Sequence, residues 1–383
     1  MATISAAESE KLIVRACVTA EENFSSAVRD FDDYVSLDGL NQGAYRLLPY
    51  LYRRVEALQV DSRYRSLLKG IYKREWYLHH VEGANWLSNA GAILEDIPFL
   101  VLKGVALREL IYGGDGAIRP VHDLDIFVHP FQRVRAFSMF LTAGYRLEHP
   151  RAQARYLSYG EGGRKNYLSL SPSIGLIKGA SRVDLHWALY PTLGTSLLHE
   201  ELFGQAKTVE GRGHRESFRT LSITHHYLHT LAHGVGTSSV SPVRWIVDSH
   251  LLERHPLFDS GEVIETAIRI GWMSMLSSQL RWRERFTQVE LPVEMKSQIE
   301  IGRRVKNMRL GWAARRAPLG FLRRVLGVLV FSPLINRQLT GEHFLQSVLR
   351  SIWFFSPRVS ELGLMGIWTT SSKARGSSSH QRP

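Results

Sequence analysis

The apolar residues of this chain change their spacing twice, and this change limits the folds that the chain can adopt. Up to residue 95 they recur every three or four residues, which is typical of amphipathic helices. Between about 97 and 190, short apolar runs of strand length alternate with helical stretches, and after 220 the helical spacing returns through about 355. This pattern predicts an α/β (α+β) sheet domain flanked by helical segments at both ends.

The same pattern divides the chain into regions. We expect a helical N-terminal region over 1–95, a sheet domain over 96–215, a helical C-terminal region over 216–368 and a disordered tail over 369–383. The tail is rich in Ser with Gly, Arg and Pro, a composition that buries no core. In the sheet domain the expected strands are 98–102, 124–128, 145–147, 166–170 and 182–187, and the expected helices are 105–112 and 130–143.

Two aspartates occupy alternate positions at the strand predicted over 124–128. Asp123 and Asp125 therefore face the same side, with Cα atoms about 6.6 Å apart at the usual rise. Two carboxylates at this spacing can reach a shared pair of metal ions, and their oxygen atoms suit Mg²⁺. The alternative interpretation is an ordinary exposed strand face that carries two acids.

Three features near this pair favour metal and phosphate chemistry. Lys103-Gly104 follows a predicted strand and precedes a helix, where a glycine and free N–H groups admit a phosphate. Arg119 lies just upstream of the acids, and a guanidinium can hold a phosphate by two hydrogen bonds. Asp184 lies on a later strand, where it could bind the same metal or accept the proton of an incoming hydroxyl.

Taken in order, these segments resemble a known family. The segments that carry the resemblance are Leu102-Lys-Gly-Val-Ala-Leu107, Tyr112, Arg119, Asp123-Leu-Asp125, Gly144-Tyr145 and Val183-Asp-Leu-His-Trp187. They are similar to an uncharacterised bacterial nucleotidyltransferase family of the DNA polymerase β-like superfamily, over residues 85–255. The superfamily's Gly-Ser is replaced here by Lys103-Gly104, a form that looks typical of this family.

The resemblance implies a nucleotidyltransferase-like mixed sheet domain that depends on Mg²⁺ or Mn²⁺. Such an enzyme moves a nucleoside monophosphate from an NTP to an acceptor and releases pyrophosphate. The acceptor is unknown and would be a small molecule, a sugar phosphate or a protein side chain. The implied site residues are Asp123, Asp125 and Asp184 for catalysis and metal binding, and Lys103, Gly104 and Arg119 for the nucleotide phosphates.

Histidines near these acids are further candidates for substrate contact. His186 shares a strand face with Asp184, although simple packing beside Trp187 is the favoured interpretation. His229 and His233 lie one helical turn apart, a spacing that can bind zinc, but the glutamate of the HExxH motif is absent. Packing against the sheet domain, or lining an acceptor pocket, is the favoured role for both.

Asp248 is the last substrate candidate. It lies four residues after Arg244 on a predicted helix, and a plain ion pair between the two is the alternative interpretation.

The net charge of +12 is concentrated near the C-terminus. Residues 301–383 contain fourteen Lys and Arg and two acids, so the first 300 residues are balanced. A solvated arginine-rich helix face is the favoured interpretation of this segment, followed by peripheral contact with an anionic membrane. Nucleic-acid binding is third, because no nucleic-acid motif accompanies the charge.

Other features limit the protein class. The one cysteine, Cys17, excludes a disulfide scaffold and a multi-cysteine metal site. No apolar run approaches the roughly 20 residues that span a bilayer, and we expect a cytoplasmic protein. Two other functions stay open at this point: a non-catalytic nucleotide-binding or regulatory protein of the same fold, and a toxin–antitoxin-like partner protein.

Overall fold

A computed structural model of the chain describes residues 5–83, 85–158, 167–168, 172–189, 196–211, 217–234, 243–270, 272–291, 293 and 295–297. Its N-terminal part is helical, as predicted. The helices are α1 (Ala6–Val18), α2 (Glu21–Tyr34), α3 (Gln42–Tyr45), α4 (Leu48–Ala57), α5 (Arg65–Leu78) and α6 (Trp86–Ile93), with a 3₁₀ turn at Leu37–Gly39 and a π-helical turn at His79–Gly83.

A mixed sheet follows these helices. Its strands are β1 (Phe99–Val101), β2 (Leu124–Val128), β3 (Arg146–Leu147), β4 (Ser173–Lys178), β5 (Ser181–His186), β6 (Lys207–Val209) and β7 (Phe218–Thr220). The strand order is β3-β4-β5-β2-β1-β7-β6. The pairs β2–β5 and β1–β7 are parallel, and the other neighbouring pairs are antiparallel. The predicted α/β class is therefore confirmed.

Helices connect the strands and continue after the sheet. They are α7 (Lys103–Ile111), α8 (Arg133–Thr142), α9 (Pro150–Leu157), α10 (Ser196–Gly204), α11 (Ile223–Gly234), α12 (Arg244–Leu252), α13 (Ser260–Arg269) and α14 (Met273–Thr287), with a 3₁₀ turn at Pro130–Gln132. The predicted helical pattern after 220 is thus confirmed as far as α14. The basic segment after 300 and the tail over 369–383 lie outside the described residues.

The strand predicted over 166–170 is wrong at its described positions. Tyr167 and Leu168 are helical, and both are buried, although neighbouring residues of a strand point to opposite faces. The Tyr167 ring packs edge-on against Tyr156 at 5.7 Å. The antiparallel partner of β5 is β4, where Gly175 weakens the strand signal in the sequence.

The sheet lies between two hydrophobic layers. Alternate residues of β2 reach different layers: Phe127 packs with the N-terminal helices and α11–α14, whereas Ile126 and Val128 pack with α6 and α8. By the same alternation, Asp123 and Asp125 lie on the Phe127 face. The acids therefore meet the layer built by helices from both ends of the chain.

The N-terminal helices and the helices after β7 share one hydrophobic core. Ile13, Phe31, Trp245 and Leu280 belong to the same cluster of buried side chains. Burying each such side chain stabilises the fold by roughly 1.5–3 kcal/mol. The sheet also reaches Thr220, past the boundary expected at 215, because β7 pairs with β1. In the described part of the chain, no helix combines the length and the hydrophobicity needed to cross a bilayer.

Candidate active site

Two carboxylates lie side by side because β2 and β5 run parallel in register. Asp125 is the direct partner of Asp184 across the two strands, and Phe127 is the partner of His186. Every residue of β2 is buried, so its register is fixed by the hydrophobic side chains on both faces. The third acid of the sequence prediction therefore comes next to Asp125, although 59 positions separate them along the chain.

Lys103 and His186 contact both carboxylates. Lys103 Nζ lies 2.5 Å from Asp125 Oδ1 and 3.8 Å from Asp184 Oδ2. His186 Nε2 lies 2.9 Å from Asp184 Oδ2 and 3.1 Å from Asp125 Oδ1. The imidazole thus joins the acids rather than merely packing beside Trp187, and its role differs from the interpretation favoured by the sequence.

The charges of this cluster stabilise one another. Burial alone would lower the pKa of Lys103, but the carboxylates of Asp125 and Asp184 raise it. Burial also opposes the charge of His186, whose pKa is nevertheless raised by Asp184 and Asp125. Burial would raise the pKa of Asp125, yet Lys103 and His186 lower it. The pKa of Asp184 is lowered for the same reason, against burial, chiefly by His186.

Asp125, Asp184 and His186 are arranged so that they can hold a metal ion. One ligand atom from each lies within 4.8 Å of those of the other two. Carboxylate oxygens suit Mg²⁺ and Mn²⁺, and a neutral imidazole suits transition metals. A divalent ion at this place would neutralise the carboxylates of Asp125 and Asp184, as the charges of Lys103 and His186 do here. The donor set therefore fits a metal ion.

Asp123 lies beside this group rather than inside it. It directly precedes β2, and it lines the same cavity of about 260 Å³ as Asp125 and Asp184. Asp123 is exposed to solvent, unlike the buried Asp125, although neighbouring atoms remove part of the hydration of its carboxyl group. The loss of hydration and the repulsion from Asp125 raise its pKa to about 6. All three acids predicted from the sequence therefore border one cavity.

The first turn of α7 forms another wall of this cavity. Lys103 begins the helix with a left-handed backbone, φ 41°, which is uncommon for a residue with a side chain. Gly104 follows it against Val121 and Arg119: a Cβ there would lie 2.9 Å from Val121 Cγ1 and 3.2 Å from Arg119 Nη1. The close approach explains the glycine, and both Lys103 and Gly104 line the cavity.

Arg119 is held in place by Asp248. Its Nε and Nη2 donate to the two oxygens of Asp248 at 3.0 and 2.8 Å, and the Tyr112 hydroxyl donates to Oδ1 at 2.7 Å. Burial would raise the pKa of Asp248, but Arg119 lowers it. Arg244 donates to the Pro120 carbonyl at 2.7 Å, and its charge also lowers the pKa of Asp248.

One nitrogen of Arg119, Nη1, does not take part in the ion pair with Asp248. The residue is 4% exposed, and Nη1 has no hydrogen-bond partner among the described residues. Because Nε and Nη2 bind Asp248, Nη1 with its two N–H groups is the nitrogen through which Arg119 can donate to a phosphate. Arg119 and Asp248 both line the cavity.

Two further cations line the cavity. Arg244, at the start of α12, has its pKa lowered to about 10 by burial and by the neighbouring Arg119 charge. Arg46 directly follows α3, and its Nε is buried without a partner in the described structure. The sequence offers no signal for Arg46, because it lies among the N-terminal helices and far from the acids along the chain. The core that the N-terminal helices share with the sheet brings it here.

The α11 histidines lie on the same side of the sheet as the acids. His229 is buried, and its ring meets that of His186 edge-on at 6.4 Å between centroids. His233 lines the cavity wall one turn later. Neither belongs to a metal-capable group found among the described residues. Their contacts agree with packing and pocket lining, as favoured from the sequence.

A second cavity of about 290 Å³ adjoins the first. The two share four lining residues: Arg46, Asp123, Asp184 and Arg244. His122 also lines the second cavity, where partial burial and the charges of Arg46 and Arg244 lower its pKa to about 4.

Comparison with known proteins agrees with this geometry. A family model described as an uncharacterised nucleotidyltransferase matches residues 44–287, well over half of the chain. The chain belongs to this family. The match extends beyond the range of 85–255 seen from motifs and includes Arg46, both aspartate strands and α12. No curated protein and no solved structure matches the chain.

Membership confirms the resemblance inferred from the sequence. It supports nucleotidyl transfer as the general class of activity, and the mixed sheet agrees with a nucleotidyltransferase-like fold. The three acids, Lys103 and Gly104 of α7 and the cations Arg46, Arg119 and Arg244 all line the first cavity of this fold.

Proposed function

We propose that this protein is a divalent-metal-dependent nucleotidyltransferase that moves a nucleoside monophosphate from an NTP to an acceptor. The observation that supports this most is the register of β2 and β5, by which Asp184 lies beside Asp125 on the cavity that Asp123 also lines. Mg²⁺ or Mn²⁺ would be held by Asp123, Asp125 and Asp184, with His186 as a further donor on the same group.

The cations of the cavity suit a triphosphate. Lys103, Arg46 and Arg244 line it together with the buried Nη1 of Arg119, and the N-terminus of α7 adds backbone donors. Phosphoryl transfer needs positioning and neutralisation of charge more than covalent help from the protein. When bound, the metal supplies that neutralisation at the triphosphate and at the departing pyrophosphate.

The proposed reaction forms one bond to the α-phosphorus and breaks another. An acceptor hydroxyl attacks the α-phosphorus and forms a new O–P bond. The bond from the α-phosphorus to the bridging oxygen breaks, and pyrophosphate leaves with that electron pair. Asp123 and Asp184 both border the two cavities. We assign Asp184, which has 27% of its side chain exposed, to accept the hydroxyl proton, and Asp123 is the alternative acceptor.

The test measures nucleotide binding and pyrophosphate release with the full chain. We expect NTP binding to weaken at least about tenfold when EDTA replaces Mg²⁺, because the acids hold the nucleotide through the metal. Asp125→Asn and Asp184→Asn are expected to weaken Mg²⁺-dependent binding similarly and to abolish pyrophosphate release in the presence of a panel of acceptors. Far-UV circular dichroism checks that both variants are folded.

Asp96→Asn is the matched control, since Asp96 is an exposed acid whose only described ion pair is with Arg135 at 3.2 Å. It should leave binding and release unchanged. Nucleotide binding that is equal with EDTA and unaffected in folded Asp184→Asn protein would contradict the proposal. Binding without pyrophosphate release for any acceptor would favour the non-catalytic alternative.

A further inference from the structure

The second cavity borders the acids but not the first turn of α7. It shares Asp123, Asp184, Arg46 and Arg244 with the first cavity, while Lys103 and Gly104 line the first alone. Since the helix N-terminus and Lys103 favour the triphosphate in the first cavity, the second is the space from which another molecule reaches the same acids. Because Asp184 lines the second cavity, a molecule bound there would have its attacking hydroxyl beside the residue assigned to accept the proton.

The far end of the second cavity carries an ion pair that can open. Arg182 Nη1 lies 2.8 Å from Glu148 Oε1, and about half of each side chain is exposed. Exposed pairs of this kind contribute little to stability, so exchanging Glu148 for a ligand anion costs little. Glu148 also packs over Gly175. A Cβ added at Gly175 would lie 2.8 Å from Glu148 Oε2, so the carboxylate lies directly against the backbone of β4.

Arg46 adds a cation at the junction of the two cavities. No ion pair of its guanidinium occurs in the described structure, and its Nε is buried without a hydrogen-bond partner. A guanidinium in this state favours an anionic ligand, above all a phosphate, whose oxygens accept several N–H bonds. Arg46, Arg182 and Arg244 line this space of about 290 Å³ together with three carboxylates. The proposed function assigns two of these, Asp123 and Asp184, to the metal, which leaves Glu148 opposite the three cations.

We propose that the second cavity binds the acceptor, and that this acceptor is a small molecule with a phosphate group. Arg182 and Arg46 hold the phosphate, while a hydroxyl of the same molecule faces Asp184. The volume lies near the lower end of small-molecule pockets, roughly 300 Å³, so a compact acceptor fits. This inference rests on the proposed function, because it assumes that the NTP occupies the first cavity.

The test uses inorganic phosphate as the probe for the second cavity. The full chain is first saturated with a non-cleavable α,β-methylene NTP and Mg²⁺, which occupies the first cavity, and phosphate is then titrated and followed by ³¹P NMR. We expect saturable phosphate binding that Arg182→Gln weakens at least about tenfold, with unchanged nucleotide affinity. Acetate, titrated in the same way, should bind more weakly than phosphate.

Arg135→Gln is the matched control. Arg135 forms an ion pair with Asp96 and is 52% exposed, nearly the same as Arg182 at 51%. The control should bind phosphate as the unchanged chain does. Phosphate that does not bind to the nucleotide-loaded chain, binds no better than acetate, or binds equally in Arg182→Gln protein would overturn this inference and leave the proposed function standing. Failure of the nucleotide itself to bind would overturn both.

Discussion

At the scale of single residues, the candidate site contains a strained backbone conformation and buried charged groups, and both lower the stability of a fold. Lys103 has a positive φ, and a non-glycine residue in this conformation costs roughly 1–3 kcal/mol. Its ammonium group is buried between Asp125 and Asp184, where an unpaired charge would be still more costly. Backbone strain and buried charged groups of this kind cluster at functional sites, where they contribute to ligand binding or catalysis.

Cys17 is expected to be unreactive in the folded protein. It is 1% exposed, and burial raises the pKa of its thiol to about 12. Because the thiolate is the reactive form, the folded thiol stays protonated and inert at pH 8. A colourimetric thiol reagent at pH 8 should therefore detect no thiol until urea unfolds the chain, and then one. Full reaction in native buffer would contradict the burial of Cys17.

Much of the candidate site could be predicted at this scale. Asp123, Asp125, Asp184, Lys103 and Gly104 all border the first cavity, because motif spacing on strands fixes which face a side chain takes. Arg46 could not be found in this way. Its position depends on how α3 packs, and no local pattern in the sequence carries that information.

At the scale of elements, the three central strands β5, β2 and β1 were predictable, whereas β4, β6 and β7 were not. β2 matches its expected range of 124–128 because five buried residues in succession leave no helical alternative of that length. β6 and β7 have three residues each, too few to show a period, and the sequence did not indicate them. The strand expected over 166–170 was wrong at its two described positions, Tyr167 and Leu168, which are helical.

The first turn of α7 gives a prediction about stability. Gly104→Ala would place a Cβ 2.9 Å from Val121 Cγ1, so Val121 and Arg119 must shift. Overpacking of this kind outweighs the better helix propensity of alanine, and we expect a net loss of about 1–2 kcal/mol in the free energy of unfolding. Urea denaturation measures the difference.

Gly70→Ala is the control for that variant. Gly70 lies inside α5, is exposed, and has nothing within 4 Å of the position that an alanine Cβ would take. Alanine there should raise the free energy of unfolding by up to about 1 kcal/mol. Equal effects of the two substitutions would show that Gly104 does not lie in the close contact described.

At the scale of the whole molecule, helices from both ends of the chain stabilise one face of the sheet. Ile13 of α1 and Leu280 of α14 belong to one hydrophobic cluster that also includes Phe127 of β2. The sequence indicated the helical regions but not that they pack together, since hydrophobic periodicity shows that a face is buried without showing what covers it.

This shared core predicts cooperative unfolding. Phe31→Ala removes a fully buried side chain of α2 and should lower the free energy of unfolding by about 3–5 kcal/mol. Because the core is continuous, far-UV circular dichroism and tryptophan fluorescence should report the same shifted urea midpoint. A change confined to one of two separate transitions would instead show that the N-terminal helices unfold independently.

The location of a bound metal tests the active site most directly. Crystals of the full chain with Mn²⁺ and a non-cleavable NTP would show the ion by its anomalous scattering. We expect a peak coordinated by Asp125 and Asp184, with the triphosphate on the Lys103 side of the cavity, and we expect Asp184→Asn to remove or weaken that peak. Mn²⁺ bound elsewhere, for example at His229 and His233, with nothing between the two carboxylates would contradict the metal-dependent site.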